Sequence, residues 1–170
     1  MVVCAAGMVT DVGKLITAAH EWHWDVEVIA TPQGLGFLDV EAVEAQTGHP
    51  TRSAWRSPGE PRPTRPAVAI AVAPASFNTV NKWAAGISGS LALGVLREAP
   101  AMGIPVAVLP YLNSAQDAHP AYRQSPARLR EMGALIGSHE PPRPKASGGA
   151  DHYRLEEALE LLAPALSARA

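Results

Sequence analysis

Ala67-Val68-Ala69-Ile70-Ala71-Val72-Ala73-Pro74-Ala75-Ser76-Phe77-Asn78-Thr79-Val80-Asn81-Lys82-Trp83 decides how this chain is read. The unbroken apolar run at 67–73 has the length of a strand buried on both faces, as in a parallel sheet. It stops at a proline, turns through small polar residues and enters a helix predicted over 79–85. Such a turn presents backbone N–H groups at a helix start, beyond the carboxyl end of a strand. That position suits a polar ligand.

The same alternation extends in both directions. Strands are expected at 2–6, 25–30, 51–55, 68–73, 105–109 and 134–137. Helices are expected at 11–22, within 33–45, at 79–85, 88–98 and 118–132 (with a break near Pro126), and at 154–167. In the last, Leu155, Ala158, Leu159 and Leu162 fall in register. Alternating strands and helices predict an α/β fold: a single-domain, doubly wound parallel sheet, Rossmann-like or flavodoxin-like, with helices on both faces. The strand ends that would meet a ligand are then 7–10, 31–33, 74–79 and 110–113.

A length of 170 residues fits one domain over 1–170, and 47% hydrophobic residues supply its core. A net charge of −2 gives no general attraction to nucleic acid or an anionic membrane. Apolar stretches fall short of the roughly 18 residues of a membrane span, and the first residues read as a strand rather than a signal peptide. A lone cysteine, Cys4, excludes a disulfide framework within the chain. The expectation is a soluble, cytoplasmic protein. Prolines gather at 57–66 and 140–144, where the missing N–H and the constraint on the preceding residue favour loops.

Several side-chain groups stand out. Gly7-Met8-Val9-Thr10 is a strand-to-helix turn able to cradle a phosphate, although Gly-x-Gly-x-x-Gly and Gly-Lys-Ser/Thr are both absent. Thr31 ends the second strand, either meeting the same phosphate or merely closing the strand. Cys4 reads as a small buried hydrophobe. His20 and His23 are three apart rather than the four of a metalloprotease helix, and no metal site is expected. Arg52, Arg56, Arg62 and Arg65 surround Glu60. They form either a carboxylate dock or a solvated loop face.

Pro74-Ala75-Ser76-Phe77-Asn78-Thr79 resembles the PASANT motif of the homo-oligomeric flavin-containing Cys decarboxylases, with Phe77 in place of a small residue. This family embraces phosphopantothenoylcysteine and lantibiotic peptidyl-cysteine decarboxylases. Lys82 and Gly86-Ile87 also fall where the family has them. Pro110-Tyr111-Leu112-Asn113 resembles its second motif, Pro-x-Met-Asn-x-x-Met-Trp, with Leu112 for the methionine and no Met-Trp. The resemblance covers nearly the whole chain, most clearly residues 1–125.

The resemblance implies a flavin, FMN with FAD as the other form, held by Gly7, Met8, Val9, Thr10, Thr31, Ala75, Ser76, Asn78 and Thr79. It implies that Asn78 faces the substrate carboxylate and that Asn113 lies near the substrate, across a subunit boundary in a trimer or a multiple of trimers. The family's active-site histidine stands 14 residues before the first proline of PASANT. Here that position is Glu60, a candidate base, with His49 as a second candidate. Gly89-Ser90 stand where Asp-Asn is frequent, and residues 138–152 correspond to a mobile flap. The implied reaction is oxidative decarboxylation of a small-molecule or peptide carboxylate derived from cysteine, such as a peptide's C-terminal cysteine. In that chemistry, oxidation of the cysteinyl carbon–sulfur unit to a thioaldehyde creates the electron sink for loss of CO2. The alternatives are a flavin-binding protein without decarboxylase activity that serves a partner enzyme, a flavin prenyltransferase, and another kind of nucleotide-binding α/β domain.

Overall fold

In the computed structural model, which describes residues 1–60, 66–138, 140–144 and 153–168, five parallel strands form one sheet. They are β1 (Val2–Val3), β2 (Ile29–Ala30), β3 (Ile70–Ala75), β4 (Val106–Pro110) and β5 (Leu135–Ile136), in the order β2-β1-β3-β4-β5. This is the flavodoxin-like order. Its winding reverses between β1 and β3, and a crevice opens there at the carboxyl edge.

The helices are α1 (Val12–Glu21), α2 (Pro32–Leu35), α3 (Val40–Thr47), α4 (Phe77–Ala84), α5 (Leu91–Glu98), α6 (Ser114–Asp117), α7 (Pro120–Arg123), α8 (Ser125–Glu131) and α9 (Glu157–Ser167). They divide between the two faces. Ile70, Val72, Val106 and Val108 point to a core shared with α4, α5 and α8. Ala71, Ala73, Ala107 and Leu109 point the other way, toward α1, α3 and α9. This two-residue alternation within continuous apolar strands is why the sheet needs cover on both sides. All six residues of β3 are buried.

One expected strand is lost and other bounds move: β3 runs Ile70–Ala75, through Pro74 rather than stopping before it. Residues 51–55 form no strand: Arg52 alone makes a parallel bridge to Ile29, accepting from Ala30 N and donating its N–H to Val28 O. Residues 53–56 leave the sheet as irregular backbone. The helical segments expected within 33–45 are α2 and α3, and Asp39 caps α3 by accepting from Ala42 N at 3.1 Å. The break expected near Pro126 within 118–132 falls at Gln124, between α7 and α8. Pro120 and Pro126 each sit in a first turn, where a missing N–H is tolerated. The expected flap at 138–152 lies mostly outside the described residues, as do Arg62 and Arg65. No helix among the described residues is long and apolar enough to cross a membrane.

Candidate functional site: a cleft where four helices begin

A cleft of about 640 Å³ opens over the carboxyl ends of β1, β2, β3 and β4, within the range of about 300–1,000 Å³ common for small-ligand sites. Four helix N-caps line it: Thr31 for α2, Ser76 for α4, Ser90 for α5 and Asn113 for α6. Each cap oxygen is already engaged. Thr31 Oγ1 accepts from Gly34 N at 3.1 Å, Ser76 Oγ from Thr79 N at 3.4 Å, and Ser90 Oγ from Leu93 N at 3.4 Å. Asn113 Oδ1 accepts from Ala115 N and Gln116 N, while Gln116 Oε1 accepts from Asn113 N, a reciprocal capping box.

The consequence is electrostatic. A helix start leaves its first amides without intrahelical partners, and the aligned peptide dipoles of α4 and α5 place partial positive charge there. With their carbonyl oxygens engaged, Asn113 and Gln116 offer a ligand their amide N–H groups. Lys82 and Arg143 add two cations to the lining, and no aspartate, glutamate or histidine lines it among the described residues. The cleft therefore offers donors and positive charge to an acceptor-rich, anionic ligand.

The walls are set by close packing. A Cβ at Gly34 would stand 2.8 Å from Val3 O and 2.9 Å from Thr31 Oγ1, so only glycine lets α2 lie against the end of β1. Tyr111 leaves β4 with its N–H on Ala75 O and reaches over the first loop. A Cβ at Gly7 would come within 3.2 Å of its ring. Tyr153 packs edge-on against Tyr111, with centroids 5.1 Å apart, and donates its hydroxyl to Leu109 O at 2.6 Å. Near one end of the cleft, Ser114 N donates to Pro142 O at 2.8 Å, and the neighbouring Arg143 lines the cleft.

Of the residues singled out from sequence, Gly7, Thr31, Ser76, Asn78, Thr79 and Asn113 come together in the lining. Met8, Val9 and Ala75 are buried outside it, and Thr10 is exposed in the 3-10 turn Val9–Asp11. Glu60 is not brought to the cleft. Its carboxylate accepts from Ser57 N at 2.9 Å and its carbonyl from the Arg56 guanidinium at 2.7 Å, closing an exposed turn. His49 pairs with Asp25 at 2.8 Å, also away from the lining. Cys4 is fully buried beneath Ser76 and Thr79. Burial pushes its thiol up, outweighing the hydrogen bonds from those two residues, so it stays neutral.

Ser90, Gln116, Tyr111 and Arg143 enter the site without having been singled out for it. Two had a local signal. Ser90 stands just before the apolar Leu91-Ala92-Leu93, and Asn113-x-x-Gln116 has the spacing of a capping box.

The family model described as Flavoprotein matches residues 1–151. Among solved structures, the FMN-dependent cysteine decarboxylase SpaF superposes with a TM-score of 0.68 at 22% identity, covering 93% of this chain and 94% of that one. A PPC decarboxylase mutant complexed with pantothenoylaminoethenethiol gives a TM-score of 0.72 at 21% identity, with 99% and 96% coverage. The peptidyl-cysteine decarboxylase EpiD gives 0.72 at 18% identity, with 95% of each chain covered. At these identities the likeness establishes the shared fold. No curated protein sequence matches the chain.

Proposed function

This chain belongs to the Flavoprotein family, and from that premise we propose that it holds FMN in the cleft and decarboxylates a cysteine-derived carboxylate, such as a peptide's C-terminal cysteine. The observation that carries the reading is the meeting of four helix starts, two cations and no carboxylate among the described lining residues, at the reversal point of the sheet. The relatives' chemistry, cysteine decarboxylation with FMN in one of them, supports the choice of cofactor and substrate.

The lining suits this group. Gly7 and Thr31, the Ser76 and Thr79 hydroxyls and the first amides of α4 would take the phosphate and the ribityl chain, while Lys82 offsets the phosphate charge. Met8, Val9 and Ala75, buried behind this shell, would fix the two loops. When bound, FMN supplies the two-electron oxidation of the cysteinyl carbon–sulfur unit that lets CO2 leave. The protein's own part is placement. Asn78 and the Asn113 amide would orient the substrate carboxylate, with Arg143 at the same wall. The donor-rich lining favours the substrate thiolate over the thiol, so this step needs no base within the cleft.

A second reading, flavin binding without decarboxylation, is favoured by Glu60. It occupies the position of the family's histidine, yet its carboxylate is turned into its own loop. One experiment separates the two. The protein should become yellow on mixing with FMN and then convert cysteine-ended peptides to products lighter by CO2 and two hydrogens. Flavin uptake without any mass change across a broad peptide panel selects the second reading; no flavin uptake removes both.

We place the protein in the cytoplasm as a homo-oligomer, a trimer or a multiple of trimers. The exposed Phe37, Trp55, Ile87 and Met102 supply apolar surface for such contacts. Light scattering that shows a monomer at micromolar concentration would overturn the assembly.

A further inference from the structure

A second cavity, of about 470 Å³, lies on the opposite side of α6. Asn113 and Gln116 face the first cleft, while Asp117 and Ala118 face this one, so α6 is the partition between them. Pro110 and Ile136, at the ends of β4 and β5, give the second cavity an apolar floor. Tyr122 and Arg123 of α7, Arg130 of α8 and Asp117 stand around it. Two guanidinium groups against one carboxylate leave the lining with one net positive charge. The Phe77 ring, which lines the first cleft, stacks on the Tyr122 ring of the second with centroids 6.0 Å apart and an interplanar angle of 24°. The two hollows thus share an aromatic wall as well as a helix.

We propose that this cavity is a subsite for a side-chain carboxylate, carried two or three residues before the C-terminus of the peptide and gripped by Arg123 and Arg130. The inference rests on the peptide-decarboxylase reading above and names the feature such a peptide carries. Length sets the position. A helix with its side chains is about 10 Å across, and an extended peptide advances about 3.3 Å per residue, so a chain ending in the cleft clears α6 within two or three residues once the reach of the acidic side chain itself is added. Charge sets the chemistry: a lining of one net positive charge matches one carboxylate, and guanidinium presents it with paired donors. Both arginines are exposed, so the grip weakens as salt rises.

The test uses the FMN-loaded protein and peptides ending in cysteine, with Glu, Gln or Lys third from the end. KM and kcat are read from CO2 release, and Kd from calorimetry. The Glu peptide should show KM and Kd about fivefold below those of the Gln peptide, the scale of an exposed ion pair. Its kcat should be the same, and the Lys peptide should be the weakest of the three. High salt should narrow the gap. The double variant Arg123→Gln/Arg130→Gln should erase the gap while turnover of N-acetylcysteine stays at the wild-type rate. Equal constants for the Glu and Gln peptides, or a gap that survives in the double variant, would overturn the subsite. If no peptide releases CO2, the decarboxylase reading falls. The calorimetric difference between the Glu and Gln peptides still decides the subsite.

Discussion

The two hollows beside α6 are made of opposite materials. The cleft over β1 and β3 is walled by short side chains bonded to their own helix starts, so its donors are in place before any ligand arrives. The cavity over β4 and β5 is walled by guanidinium groups at the ends of long, exposed stems. Recognition in the first is stiff and depends on backbone geometry. In the second it is loose, depends on net charge and is sensitive to salt. Substitutions should therefore act differently in the two places: in the first by geometry, donor count and the fixed counter-charge of Lys82, in the second by net charge alone.

The sharpest way to break this contrast is to invert charge inside the stiff cleft. Lys82→Glu sets a carboxylate against the FMN phosphate, and a like-charge contact of this kind costs several kcal/mol. Flavin affinity should fall about a hundredfold in a fluorescence titration. A change under twofold would mean that the phosphate lies elsewhere.

Gly34→Ala attacks geometry instead of charge. Its methyl group meets the Val3 carbonyl and the Thr31 hydroxyl, and crowding against backbone of this sort costs about 1–3 kcal/mol. The melting temperature should drop by roughly 2–4 °C for each kcal/mol lost. An unchanged melt would show that the start of α2 is not held rigidly.

Asn113 separates donor from cap. Asn113→Asp keeps an N-cap oxygen but removes the amide donor, so turnover should fall about tenfold, the value of a lost hydrogen bond near 1.4 kcal/mol, with little change in melting. Asn113→Leu should lose the same turnover and an additional ~1 kcal/mol of stability as the cap disappears. If the two variants melt alike, the cap contributes nothing and the cleft is less rigid than described.

Tyr153 tests the back wall through pH. Burial pushes its phenol well above the ordinary tyrosine range, and the nearby Cys4, Glu157, Tyr111 and Tyr122 push the same way. The folded state holds this proton more tightly than the unfolded chain does. The resulting stability is complete below the unfolded pKa of about 10 and is lost as pH rises toward the folded value. Tyr153→Phe should cost about 1 kcal/mol at neutral pH, through the bond to Leu109 O. Its stability should then decline less steeply than the wild type's between about pH 10 and 11, above the ordinary tyrosine pKa, as followed by denaturant melts.

The smallest effect belongs to Glu60. Glu60→Gln should leave flavin affinity unchanged and alter stability by less than about 0.5 kcal/mol. A large loss of turnover would instead mean that the turn at 57–60 meets a cleft in the assembled protein.

Much of this was legible in the chain because it is local. Within the apolar run 67–73, residues 70–73 enter the covered strand β3 while Ala67 and Val68 stay exposed before it, and Ser76 and Asn113 follow strand ends at cap spacing. Gly7 and Thr31 sit at the ends of the first two strands. What escaped is set by long-range packing. Arg143 lines the cleft only because Pro142 O meets Ser114 N, a contact no periodicity records. Arg123 and Arg130 carried no signal in the sequence, because they come together only where α7 and α8 turn around a hollow. The strand expected at 51–55 failed for the same reason. Its composition allowed pairing, but only Arg52 finds an edge to pair with.

The bond from Ser114 to Pro142 has one more implication. By giving its oxygen to the amide that opens α6, the backbone at 142 does there what a bound anion does at a bare helix start. Drawing the 140–144 stretch outward would take that oxygen away and leave the first amide of α6 bare, so the loop and the helix keep their places together.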